Sequence, residues 1–180
     1  MPIRTLAGLV GCVWAAALCA AGPCAAEEAS VEANRTGNEA LALIQDGRTE
    51  EGLAQLREAV RMSPEAPDWH MNLGSLLFSV GSGRFQSGDQ AGAAPMLEES
   101  RKELTEAIAL FGHDADTGVL RSQCHYLLGD LARYVFLDVQ EARLRYRQAL
   151  EAYPEHGGAR EALAELDRTE TQSKNSTAAQ

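Results

Sequence analysis

Asp138-Val-Gln-Glu-Ala142-Arg-Leu-Arg-Tyr146-Arg-Gln-Ala149-Leu-Glu-Ala-Tyr-Pro154 is the stretch that decides the fold. Small, large, small and stop residues stand at Ala142, Tyr146, Ala149 and Pro154, separated by four, three and five. The same spacing recurs at Gly52, Leu56, Ala59 and Pro64, and at Ser100, Leu104, Ala107 and Gly112. A second mark precedes each quartet, a small residue with a partner three places on: Ala40 with Leu43, Gly74 with Leu77, Gly129 with Ala132. Spacings of three and four keep residues on one helix face. Each repeat is therefore two short helices. Small residues let the two backbones approach, large ones fill the adjacent hole, and proline stops the second helix because it lacks a backbone N–H.

This pattern resembles the tetratricopeptide repeat, a helix-turn-helix unit of about 34 residues. Leu73-Gly74 with Leu77, Leu128-Gly129, and Ala142 to Pro154 carry the resemblance. Thr36, His70 and His125 stand where the family has Trp, and its Tyr place is never aromatic. The resemblance implies an all-α fold, a right-handed solenoid of about three helix pairs with a C-terminal capping helix.

The offsets also locate irregularities. Ala40 to Gly74 is 34 residues, but Gly74 to Gly129 is 55, an excess of 21. Fourteen extras fall between the second repeat's helices and seven before Gly129. The first group includes Gly81-Ser-Gly83-Arg84-Phe85-Gln-Ser-Gly88, read as a mobile inserted loop over 81–94 because glycine and serine hold a helix poorly. Arg84 and Phe85 are its candidate contacts with a partner.

Residues 1–26 read as a secretory signal: Arg4, an apolar run from Leu6 to Leu18, small residues to Ala26, then Glu27-Glu28. An uncleaved membrane anchor and acylation at Cys12 are the alternatives. The repeat domain is expected over 27–168, with repeats at 33–66, 67–114 and 115–155, a cap at 156–168 and a disordered tail at 169–180. The net charge of −10 becomes −11 once Arg4 leaves, which disfavours nucleic acid and anionic membrane as partners. Cleavage also leaves Cys124 as the lone thiol, expected to be buried in an oxidising compartment. Fourteen Arg against two Lys points to a high-GC bacterial source.

Caps and stops supply a helix map. Gly47 ends the first helix and Thr49 caps the second; the third spans 68–80, the fourth begins at Pro95 and ends at 111, and the fifth spans 117–135. Asp138 and Glu141 form a capping box opening the sixth.

Catalytic constellations are absent from the pattern. Cys124 and His125 are helix neighbours pointing about 100° apart and cannot pair. His113-Asp-Ala-Asp116 lacks the glycine and distal Glu of a calcium loop and suits a helix start. No zinc spacing, haem motif or phosphate loop occurs, so neither enzyme, metal nor cofactor is expected.

Surface recognition remains. The resemblance implies a concave face lined by first helices that grips a peptide or protein. Helical spacing from the marks places Asn38, Leu41 and Gln45, then Met71, Asn72 and Ser75, then Tyr126, Asp130 and Arg133 on that face. Asn38 and Asn72 stand 34 apart, so successive helices repeat an amide able to pair with peptide backbone. No lysine is available there to hold a terminal carboxylate. The expectation is an exported, periplasmic adaptor or assembly factor without membrane insertion after cleavage; the alternative is a self-associating structural subunit of a cell-envelope complex.

Overall fold

A computed structural model describes residues 23–112 and 115–178. It is a solenoid of helix pairs: α1 (Pro23–Gln45) with α2 (Thr49–Met62), α3 (Pro67–Gln86) with α4 (Gln90–Leu110), and α5 (Ala115–Asp130) with α6 (Val139–Ala152). A π-helical turn, Leu131–Val135, continues α5, and α7 (Gly157–Ala178) packs on α6. The described residues contain no strand.

The repeat marks lie at the pair interfaces. Leu53, Leu56 and Ala59 are fully buried, as are Leu104, Ala107, Tyr146 and Ala149. A methyl group added at Gly74 would meet Leu104 Cγ at 2.8 Å, and one at Gly129 would meet the Tyr146 ring at 2.5 Å. Close approach is thus the physical content of the mark. Ser100 strengthens it by donating to the Gly74 carbonyl at 2.7 Å.

The expected loop over 81–94 is instead helix apart from a turn at 87–89, and this corrects the sequence reading. α3 runs twelve residues beyond Gly74 where α1 runs five beyond Ala40; α4 starts ten before Ser100 where α2 starts three before Gly52. At the turn that joins them, each helix of the second pair reaches seven residues further from its mark, about two turns. The seven extras before Gly129 are also helical, since α5 starts fourteen residues before its mark and α3 only seven. Seven residues return nearly to the same face, drifting about 20°. The extension therefore copies the mark: Gly81 meets Leu97 as Gly74 meets Leu104. Packing at Gly81 outweighs a helix penalty of about 1 kcal/mol per glycine.

The true turn is Ser87-Gly88-Asp89, built like Asp46-Gly47-Arg48. Gly88 (φ 91°) and Gly47 (φ 80°) are left-handed. In each turn the following amide reaches back to a helix carbonyl, Asp89 to Arg84 at 3.0 Å and Arg48 to Leu43 at 2.9 Å.

Smaller expectations shift with this. Arg48, not Thr49, is the N-cap of α2, and no side chain caps it. Asp89 caps α4 by accepting from the Gly92 amide, so Pro95 lies inside the helix on its exposed face, where water can satisfy the carbonyl of Ala91. Asp138 accepts from the amides of Gln140 and Glu141, but the capping box is only half formed, because the Asp138 amide donates to the Ala132 carbonyl and the Glu141 carboxylate pairs with Arg145. The tail is helical to Ala178 rather than disordered: Glu170 pairs with Arg143 at 2.8 Å and ties this polar extension to α6. The expected signal lies outside the described residues except for 23–26, which open α1; His113 and Asp114 also lie outside them. No described helix is long and apolar enough to cross a membrane.

Candidate functional site

Between the extended end of α3 and the π turn lies a cleft of about 440 Å³. Phe78, Ser82, Phe85 and Gln86 contribute from α3, Asp130 from α5, and Tyr134 and Val135 from the π turn. Both irregular features are needed to make it. The seven-residue extension supplies Ser82, Phe85 and Gln86, and the π turn supplies the opposite lip. Phe78, Phe85 and Val135 also pack on the central core cluster, so the walls are anchored.

Asp130 is the one acidic lining residue, and no basic residue joins it. The Tyr146 hydroxyl donates to its carboxylate at 2.7 Å, and the Tyr126 hydroxyl also favours the charged carboxylate. Burial raises the Asp130 pKa, and the two tyrosines oppose that shift. The Tyr146 hydroxyl moves far above its ordinary value, through burial and then through the facing carboxylate. Tyr126 also lies against His156, ring centres 4.9 Å apart, joining the site to the start of α7.

Of the residues expected to meet a partner, Asp130 and Phe85 share this cleft. Met71, Asn72 and Ser75 are half-buried on α3, Tyr126 is half-buried on α5, and Asn38 and Gln45 are exposed on α1 with Leu41 partly packed on the first core cluster. The two arginines are occupied. Arg133 pairs with Glu165 of α7 at 3.0 Å and lies 4.7 Å over the Tyr134 ring, while Arg84 reaches Glu50 of α2 at 2.7 Å. Ser82, Gln86, Tyr134 and Val135 were not legible as site residues. Reading 81–94 as loop hid the first two, although Gly81 stands seven after Gly74; Tyr134, four after Asp130, carried the spacing signal.

A second cleft, about 600 Å³, separates α4 from α6. Arg101, Lys102 and Glu106 face Asp138, Glu141 and Arg145 across a floor of Leu128, Ala132 and Phe136. Its charges are mixed and partly self-paired, as in Arg145 with Glu141 at 2.6 Å. Below it, buried polar groups occupy the helix pairs. His70 sits between Glu103 (Nδ1 to Oε2, 2.7 Å) and the Pro64 carbonyl (Nε2, 2.9 Å). Cys124 is fully buried, and desolvation pushes its thiol up to about 12, which suppresses thiolate chemistry. Among the described residues no group of His, Cys, Asp and Glu is arranged to hold a metal.

Residues 38–94 match the tetratricopeptide repeat family. The fold is similar to that of a solved structure titled "First TPR of Spaghetti (RPAP3) bound to HSP90 peptide SRMEEVD", with 17% identity and a TM-score of 0.52 over 79% of this chain and 95% of that one. The NMR structure of the first TPR domain of the human RPAP3 protein aligns at 18% identity and a TM-score of 0.48, over 80% and 96%. No curated protein matches in sequence.

Proposed function

Since this chain is a tetratricopeptide-repeat protein, we propose that it is an exported adaptor or assembly factor that binds a peptide or protein along the face formed by α1, α3 and α5. The cleft at the end of α3 carries this reading. It is apolar-walled, anchored in the core and open on the side of the first helices, which is how groove-binding scaffolds take up a partner's side chains. A similar fold holding a peptide supports it. Arg35 of α1, Arg84 of α3 and Arg133 of the π turn are each held by a glutamate, which disfavours capture of a terminal carboxylate by them.

Crosslinking tests this reading. A photo-crosslinker at position 72 should give a discrete adduct in the native compartment, competed by a peptide from the captured protein. Asn72→Arg should abolish that capture with helicity intact. No adduct, or capture unaffected by Asn72→Arg, overturns the groove reading. Self-association into an envelope complex is the second reading, favoured by an exposed apolar edge of Tyr134, Phe136, Leu137 and Val139, with Leu137 77% exposed. An obligate oligomer in sedimentation would favour it over the adaptor.

A further inference from the structure

We propose that the cleft between the α3 extension and the π turn selects partner segments in which a large apolar side chain stands near an arginine or lysine. This rests on the groove reading above and names what the groove takes. Three observations carry it. First, Phe78, Phe85 and Val135 wall a space of about 440 Å³, large enough for one bulky side chain and part of its neighbour. Second, Asp130 brings the only formal charge to the lining, and the neutral Tyr146 hydroxyl donates to it at 2.7 Å, while Arg133 and His156 act on it through space without a hydrogen bond. A carboxylate offers about four lone-pair sites, so room is left for a charged donor, whose bond is about twice as strong as a neutral one.

Third, the surroundings disfavour an acidic segment. Arg133 is held by Glu165 and the Tyr134 ring, and Arg84 by Glu50 of α2. Neither is free to receive a carboxylate. The chain carries a net charge of −10, so approach of a basic segment is also favoured at long range. Because the extension and the π turn build the cleft, this preference belongs to this chain rather than to the regular repeat.

Panning a phage-displayed library of random 12-residue peptides on the full chain tests the assignment. The enriched sequences should share a large apolar residue within four positions of Arg or Lys. Asp130→Asn keeps an acceptor for the tyrosines and should weaken these peptides about tenfold or more. Changing the peptide's own base to Gln should erase the difference between wild type and Asp130→Asn. Tyr134→Ala, at a residue already 55% exposed, should weaken the apolar contact while circular dichroism stays unchanged. Acidic enriched sequences, no enrichment, or peptides indifferent to Asp130→Asn overturn the proposal. Peptides blocked by Asn72→Arg yet indifferent to Asp130 would remove only this inference. Peptides indifferent to both Asn72→Arg and Tyr134→Ala would remove the groove reading as well.

Discussion

The second and third helix pairs place a histidine at the same point and treat it in opposite ways. His70 and His125 stand four residues before Gly74 and Gly129, and Glu103 and Arg145 stand three after Ser100 and Ala142. In the second pair the histidine faces the acid at 2.7 Å. Its Nε2 donates to the Pro64 carbonyl, and one proton lies between Nδ1 and the carboxylate. In the third pair the acid is replaced by Arg145, the Nδ1 atom of His125 is buried without a partner, and desolvation followed by repulsion from Arg145 and Arg121 lowers its pKa to about 4. One buried slot is satisfied and the other is kept neutral. A repeat conserves its packing geometry more strictly than its buried chemistry, because the small-large mark alone brings the helices together.

Breaking the satisfied slot should have the largest effect. His70→Ala leaves the Glu103 carboxylate, whose side chain is 7% exposed, with only the exposed Lys102 ammonium at 3.4 Å, and removal of one partner of a buried pair costs about 3–5 kcal/mol. Urea unfolding at pH 7 should show that loss. The double change His70→Leu with Glu103→Leu should recover most of it, since an apolar pair of similar volume is often neutral or better. If His70→Ala alone costs under about 1 kcal/mol, the pair does not stabilise the second repeat and the contrast with the third collapses.

Acid should find the other slot. His125 is neutral in the native state, whereas an unfolded chain takes up its proton as pH falls through 6.5. Between 6.5 and about 4 the unfolded state therefore binds more protons, so stability falls across that window and is unaffected above it. The full penalty is of order 2–3 kcal/mol. His125→Leu should be near neutral at pH 7 and less sensitive to acid than wild type; parallel stability curves from pH 7 to pH 4 would mean that His125 charges freely when folded.

These contrasts follow from sequence features of unequal legibility. The helix pairs were readable because Leu56, Leu104 and Tyr146 must each meet a small partner, and that demand repeats along the chain. The cap at Asp138 was readable because its bonds are local. The extension was misread: glycine at 81 and 83 lowers local helix propensity, and only the contact of Gly81 with Leu97, sixteen residues on, reveals why the first is there. The helix beyond residue 168 was hidden for a similar reason, since Arg143 of α6 reaches it from another element. The cleft was half visible: Phe85 and Asp130 were singled out separately, but bringing them together requires the extension and the π turn at once.

The smallest effect tests the extension itself, which the third pair lacks. Gly81 and Gly83 are both helical, but a methyl at 81 would meet Leu97 at 2.8 Å, whereas nothing lies within 4 Å of one at 83. In a helix, Gly83→Ala should therefore stabilise the chain by about 0.5–1 kcal/mol through backbone entropy and propensity. Gly81→Ala gains the same propensity but must push Leu97 out of a core position that is 1% exposed, so its net effect should be destabilising. Opposite signs for two substitutions two residues apart, read as melting temperatures of the full chain, are what a packed helical extension requires. A mobile loop would leave both near zero, and the seven-residue copy of the repeat mark would then have no part in holding α3 against α4.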